Sequence, residues 1–181
     1  MARHTSKAPP LDESTLSELA LTYVARFATT RAKLEDYLRR KVRERGWNGE
    51  GEVPVEEIAT KMVEAGYVDD AGYARSKASA LLRRGYGPRR VSQALQMAGV
   101  DEEIAGEMAP SEAEQRLAAL SLARRRGFGP FGQGELETSR REKQLAAMQR
   151  AGHSIALALA LIDAPTTSEA EIWAAEALEL G

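Results

Sequence analysis

The chain has 181 residues and a formal net charge of -2, and only 6% of its residues are aromatic. It contains no cysteine, which excludes a disulfide framework and a thiolate zinc site, and no apolar run reaches the roughly 20 residues that span a bilayer. Alanine, leucine, glutamate and arginine dominate the composition, so we expect an all-α protein. The lack of cysteine fits a reducing cytoplasm, and we expect the protein to act there as a monomer.

In chain order, the sequence predicts an arm, three helical repeats and a final helix. Residues 1–10 are polar and end in proline, which indicates a disordered N-terminal arm over residues 1–11. Apolar residues then follow helical spacing almost without interruption. Three apolar stripes in each segment predict a first three-helix repeat over residues 12–66, a second over 67–109 and a third over 110–163. An acidic C-terminal helix over 164–181 completes the chain.

Several helix starts are predicted from capping residues. Capping boxes are predicted at four Ser or Thr residues, each of which stands three positions before a Glu. These pairs are Thr15 with Glu18, Ser111 with Glu114, Ser139 with Glu142, and Ser168 with Glu171. We interpret the adjacent acids Asp69 and Asp70 as N-caps rather than as a metal-binding pair.

Two short motifs recur and support the repeat interpretation. Glu-Glu-Ile-Ala occurs at residues 56–59 and 102–105, and Gly-Tyr-Gly-Pro at 85–88 returns as Gly-Phe-Gly-Pro at 127–130, after steps of 46 and 42 residues. The third repeat carries about 11 additional residues in a glycine-rich loop between Phe131 and Ser139. A small three-helix unit buries only part of its apolar surface alone, so we expect tandem three-helix repeats stacked in an elongated, curved array.

Basic clusters recur once per repeat, at the end of its first helix or on its second. The predicted partner-binding or DNA-binding residues are Arg39, Arg40, Lys41 and Arg43 in the first repeat, Arg83, Arg84, Arg89 and Arg90 in the second, and Arg124, Arg125 and Arg126 in the third. The structural alternative is that these cations complement the helix dipole at helix C-termini. Alignment of the clusters along stacked repeats would instead suit a linear polyanion or an acidic polymer surface.

The small net charge hides a separation along the chain. Residues 163–181 contain five acids and no Lys or Arg, so residues 1–162 carry +3. Residues 75–90 contain six basic residues and no acid. The body is therefore basic, and we expect the acidic tail to compete for the same basic face.

Other residue patterns predict no enzyme chemistry. The glycines at 127–132 resemble a phosphate loop, but no strand precedes them and a proline lies among them. We expect His4 and His153 to form neither a metal pair nor a catalytic base. Tyr86 and Phe128 occupy equivalent repeat positions, where they either stack on an unpaired base or, as we favour, pack between repeats. We therefore expect no catalytic residue, metal or cofactor.

A longer pattern begins with Gly66-Tyr67-Val68-Asp69-Asp70 and Tyr73-Ala74-Arg75. It continues with Arg84-Gly85-Tyr86-Gly87-Pro88-Arg89-Arg90-Val91, then Leu95 and Ala98-Gly99-Val100. This order and spacing resemble the central signature of the RecX family. Upstream, Tyr23-Val24-Ala25-Arg26 and Thr30-Arg31-Ala32-Lys33-Leu34 resemble the opening of the family's first repeat, although Lys33 stands where an acidic residue is usual. The glycine-rich insertion and the acidic terminal helix are not features of the family.

The resemblance implies a non-enzymatic regulator of DNA repair and recombination, including the SOS response. Such proteins have tandem three-helix repeats and bind within the helical groove of the RecA filament on DNA. They restrain filament growth, ATP hydrolysis and strand exchange, and the resemblance implies that Arg83, Arg84, Arg89 and Arg90 face that groove. Two alternatives remain, a sequence-nonspecific DNA-binding protein that acts alone and an adaptor that docks a partner helix on the apolar residues 155–162.

Overall fold

The computed structural model describes residues 8–134 and 137–179, and α-helices supply nearly all of its regular structure. The helices in these residues are α1 (Glu13–Arg26), α2 (Arg31–Arg45), α3 (Val55–Glu64), α4 (Asp70–Arg83), α5 (Pro88–Gln96), α6 (Glu102–Glu107), α7 (Glu112–Arg126), α8 (Thr138–Arg150), α9 (Ile155–Ile162) and α10 (Thr167–Glu179). A 3-10 turn covers Gly129–Phe131, and one isolated bridge pairs Leu11 with Trp47. The all-α prediction is confirmed.

The chain divides into two compact units. The first contains the residues up to Tyr73 together with Ala98–Val100, and the second contains Ala74–Met97 and the residues from Asp101 onward. Each of the segments 12–66, 67–109 and 110–163 contains three helices. The exact repeat boundaries and the elongated, curved array stay predictions. Among the residues described, no helix has both the length and the apolar character of a membrane span.

The first unit has its core between α1, α2 and α3. Its buried side chains are Leu11, Leu16, Ala20, Leu34, Leu38, Val55, Ile58, Ala59 and Val68. These residues follow helical spacing because each helix turns one apolar face inward. Burying a leucine side chain stabilises the fold by about 1.5 to 3 kcal/mol, so this core holds the three helices together.

The N-terminal segment enters this core earlier than the sequence suggested. Residues 1–7, which include His4, lie outside the described residues. Leu11, however, is fully buried. Its backbone N–H donates to the carbonyl of Gly46 at 2.9 Å, and its carbonyl accepts from Asn48 at 2.8 Å. The prediction of a disordered arm over residues 1–11 is therefore wrong at its last residue, because the apolar side chain of Leu11 packs in the core of the first unit.

Some predicted caps are correct and others are displaced. The capping box of Ser111 with Glu114 is confirmed, with both of its hydrogen bonds present. The carboxylate of Asp12 accepts from the backbone N–H of Thr15 at 2.8 Å, so α1 begins at Glu13 and the box at Thr15 is wrong. Ser139 and Ser168 each lie inside a helix that begins one residue earlier. In all three cases an upstream residue starts the helix first.

The start of α2 is held by its own cap and by contacts with distant parts of the sequence. The Thr30 hydroxyl caps α2 by accepting from Lys33 at 3.2 Å and also donates to the carbonyl of Ala98 at 2.5 Å. The carboxylate of Asp70 accepts from the backbone N–H of Arg31 at 2.8 Å, whereas Asp69 caps α4 through the N–H of Gly72 at 2.8 Å. The two acids are caps, as predicted, but they cap different helices.

The second unit has its largest core among α7, α8, α9 and α10. Ala158, Leu161 and Ile162 of α9 are buried there, and Ala170 and Ala174 of α10 pack in the same cluster. The small alanine side chains of α10 allow close helix contact. Three residues of the apolar segment 155–162 are thus core, whereas Ile155 is 46% exposed, so the segment is only partly buried and the adaptor alternative stays a prediction.

Candidate functional site

The basic cluster of the first repeat lies on α2 and is largely engaged in ion pairs. Arg39 contacts Glu35 at 3.1 Å and Glu56 at 3.3 Å, which ties α2 to α3. Arg40 and Lys41 both contact Glu44, at 3.7 Å and 2.7 Å. These pairs have the spacing of neighbours on one helix face, apart from the contact with Glu56.

The Glu44 carboxylate stays ionised because cationic side chains surround it. The hydrogen bond from Lys41 lowers the pKa of the Glu44 carboxyl, and the charges of Lys41, Arg40 and Arg43 lower it further. Arg43 is exposed and makes no ion pair with any carboxylate in residues 8–134 and 137–179. The cluster is therefore less positive than its sequence suggests.

In the second unit, Arg83 is the last residue of α4 and Arg84 follows it, while Arg89 and Arg90 lie in the first turn of α5. All four are exposed, and none forms an ion pair within the described part of the chain. Arg90 donates to the side chain of Gln93 at 2.9 Å, and the Arg84 guanidinium lies 5.7 Å from the centre of the Tyr86 ring. These arginines are available to an external anion.

The positions of these arginines on their helices also distinguish two explanations for the cluster, stabilisation of a helix end and binding of an external anion. Arg83 lies in the last turn of α4, where the helix dipole favours a cation. Arg89 and Arg90 lie in the first turn of α5, after Pro88, where the dipole disfavours one. Helix stabilisation therefore explains Arg83 but does not explain Arg89 or Arg90.

A contact between two turns sets the direction of α5. The N–H of Gly87 donates to the carbonyl of Ala151 at 2.8 Å, and that of Arg89 donates to Gly152 at 3.2 Å. A Cβ atom on Gly87 would lie 2.5 Å from the backbone of Gly152, so the close approach requires glycine. The repeated glycine motif thus positions the arginines at the start of α5.

His153 is buried in this same contact and has a structural role. Its Nε2 atom lies 3.0 Å from the carbonyl of Gly85, as expected for the tautomer that carries a proton on Nε2. Burial lowers the pKa of His153, and the bond to Gly85 offsets only part of that effect. The described residues hold no cluster of His, Asp and Glu suited to a metal ion.

The third-repeat arginines at the end of α7 have three different environments. Arg124 pairs with Glu171 of α10 at 2.5 Å, so the acidic helix does engage one predicted cation. Arg125 donates to the carbonyl of Arg84 at 2.7 Å and thereby joins two clusters 41 residues apart. Arg126 is exposed and has no ion-pair partner among the described residues.

Arg125 and Arg126 border a pocket of about 200 Å³ in the second unit. Its remaining lining residues are Tyr86, Leu122, Phe128, Ala147, Arg150 and Ala151. Both aromatic rings also pack against the core of the second unit. Sequence analysis missed Arg150, whose position at the end of α8 matches the placement of the other clusters.

Known proteins resemble this chain in sequence and in fold. A family model described as "RecX, second three-helix domain" matches residues 69–108. A protein named Regulatory protein RecX from Myxococcus xanthus is 34% identical over 157 residues, covering 82% of this chain and 84% of the relative. Regulatory protein RecX from Agrobacterium fabrum is 34% identical over 146 residues and covers 78% of each chain.

A solved structure extends the resemblance to the fold. The crystal structure of RecX from Lactobacillus salivarius has a TM-score of 0.64 and 21% identity, and the match covers 83% of this chain and 96% of that one. The curated relatives are named as regulatory proteins. Identity at this level over more than three quarters of the sequence places the chain in the RecX family of regulatory proteins.

Proposed function

We propose that this protein binds the RecA filament on DNA and restrains its ATP hydrolysis, its extension and its strand exchange during recombination and repair. The observation that carries the proposal is the group of exposed arginines at the junction of α4 and α5. Arg89 and Arg90 oppose the helix dipole and lack carboxylate partners among the described residues. An external polyanion supplies the stabilisation that the fold does not.

The predicted contact residues divide by environment. We assign contacts with the filament to Arg83, Arg84, Arg89 and Arg90, joined by Arg125 and Arg126. Arg40, Lys41 and Arg43 form a weaker contact because they surround the ionised Glu44. Arg39 and Arg124 mainly link helices of their own unit.

The test follows ATP turnover by RecA on single-stranded DNA after substoichiometric addition of the protein. We expect turnover to fall with the unaltered chain and to recover with Arg89→Gln combined with Arg90→Gln. A matched control is Lys77→Gln with Lys143→Gln, which removes the same charge from exposed positions of the second unit. Unchanged turnover under conditions where the protein demonstrably binds the filament would contradict the proposal.

The second candidate function is sequence-nonspecific DNA binding without recombinase. The same exposed arginines and the aromatic-lined pocket favour it, because phosphate contacts supply affinity for any sequence. Binding to labelled DNA in the absence of RecA, measured against salt concentration, separates the two functions. A steep salt dependence together with no effect on RecA would favour this candidate.

A further inference from the structure

We propose that the pocket between Tyr86, Phe128 and Arg150 receives one unpaired base of single-stranded DNA, while Arg126 and Arg150 contact the flanking phosphates. This inference deepens the proposed function, on which it rests for the presence of DNA at this surface. All of the lining residues belong to the second unit.

The size and walls of the pocket fit one flat ring. Its volume of about 200 Å³ is below the roughly 300 to 1,000 Å³ of sites that enclose a whole small molecule. Tyr86 and Phe128 supply aromatic walls, and Leu122, Ala147 and Ala151 supply aliphatic ones. A base can enter such a space while its sugar and phosphate stay at the mouth.

The positive charges that line the pocket favour an anionic occupant. Arg126 and Arg150 are exposed and have no ion-pair partner in the described part of the chain. Arg125 is held by the carbonyl of Arg84, which keeps a third guanidinium group beside them. Three like charges around one small opening repel each other unless an anion binds between them.

The combination of aromatic and arginine side chains favours DNA over an acidic protein segment. Arg84-Gly85-Tyr86 and Arg126-Gly127-Phe128 share one pattern, and the fold brings both aromatic rings to the same pocket. Planar guanidinium groups contact phosphates with paired hydrogen bonds, and aromatic rings stack on bases of any sequence. A carboxylate-bearing peptide would use the arginines but has no need of two aromatic walls.

The experiment uses the full chain without recombinase and compares two labelled oligonucleotides of equal length. One is oligothymidylate and the other has the same sugar-phosphate chain without bases. Fluorescence anisotropy should show about tenfold tighter binding to oligothymidylate, given the usual contribution of base stacking. No preference for the strand that carries bases would overturn the proposal.

Variants then locate the base. Tyr86→Leu with Phe128→Leu keeps the apolar packing but removes both flat rings, so affinity for oligothymidylate should fall about tenfold and affinity for the abasic strand should not change. The control is Phe27→Leu, because Phe27 is 56% exposed beside Arg26 but lies outside the pocket. Unchanged binding of oligothymidylate by the folded double variant would overturn the proposal.

Photocrosslinking of the unaltered chain provides a result even if the double variant does not fold. An oligonucleotide that carries 5-iodouracil should crosslink to the peptides that contain Tyr86 or Phe128. Crosslinks confined to other aromatic residues, such as Phe27 or Tyr37, would overturn the proposal. Normal DNA binding by the double variant with loss of filament binding would also overturn it and assign the pocket to a protein segment. In each of these cases the ATP turnover assay tests the proposed function separately.

Discussion

The basic clusters of the two units look alike in sequence but differ in what surrounds them. On α2, Arg39 and Arg40 contact carboxylates four residues away, and Lys41 shares Glu44 with Arg40. At the junction of α4 and α5, Arg89 and Arg90 have no such neighbours among the described residues. Cation counts alone therefore do not identify a binding surface, and the positions of nearby acids must be included.

This difference has an energetic meaning. An exposed pair four residues apart on a helix contributes about 0.3 to 0.5 kcal/mol, which an arginine must give up before it binds another anion. At the start of α5, Arg89 has no such pair to give up and Arg90 has only its hydrogen bond to Gln93, and both also gain relief from the helix dipole. We therefore expect the second unit to bind polyanions more tightly than the first.

The largest expected effect is on the contact that positions these arginines. Gly152 has a φ of +97°, and a Cβ atom there would lie 2.5 Å from the backbone nitrogen of Arg90. Gly152→Ala should destabilise the second unit by about 3 kcal/mol through backbone strain and overpacking. Denaturant unfolding measures the loss. Gly106→Ala in α6 is the control, since a Cβ there meets nothing within 4 Å, and a similar loss in both variants would contradict this explanation.

The next effect compares the two clusters directly. Arg89→Gln with Arg90→Gln should weaken filament binding about tenfold and reduce the slope of log affinity against log salt by about 1.5, if each arginine contacts one phosphate. Arg40→Gln with Lys41→Gln removes the same charge from the first unit and should weaken binding less than about threefold. Equal losses for the two variants would remove the distinction between the clusters.

A smaller effect is a loss of stability at low pH, which arises from His153 in the contact between the turns of Gly87 and Gly152. Because burial lowers the pKa of His153 below its ordinary value of 6.5, the folded state favours the neutral ring. The unfolded chain therefore binds more protons, and stability that is present above the ordinary pKa is lost as the pH falls below it. Denaturant unfolding at pH 7.5 and pH 5.0 should show this loss in the unaltered chain and a smaller loss in His153→Gln. Identical losses would show that another group is responsible.

The smallest expected effect would make the first cluster more like the second. Glu44→Gln removes the carboxylate that Arg40 and Lys41 share. We expect affinity for nonspecific DNA to rise about twofold at low salt and to be unchanged at high salt, because the gain is one net positive charge. Titration at the two salt concentrations measures it, and a gain that persists at high salt would contradict an electrostatic origin.

The interpretation of the clusters shows where reasoning from sequence was sufficient and where it was not. The spacing of Glu35 with Arg39 and of Arg40 with Glu44 is present in the sequence and is sufficient to predict intrahelical pairs, although the sequence analysis considered only the cations. The contact of Arg39 with Glu56 and that of Arg124 with Glu171 were not visible, because they join different helices. The same limit explains why Arg150 was missed as a lining residue of the pocket.

The amino-acid sequence determined the helical class, the capping box at Ser111 and the repeated positions of Tyr86 and Phe128, because local spacing and hydrophobic periodicity carry that information. Tertiary structure alone decided that Leu11 is buried and that two aromatic rings 42 residues apart share a pocket with Arg125 and Arg150. These features depend on which helix ends and turns approach each other, and that is a property of packing between distant segments. The close contact of Gly87 with Gly152 is the physical reason that the second set of arginines lies where it does.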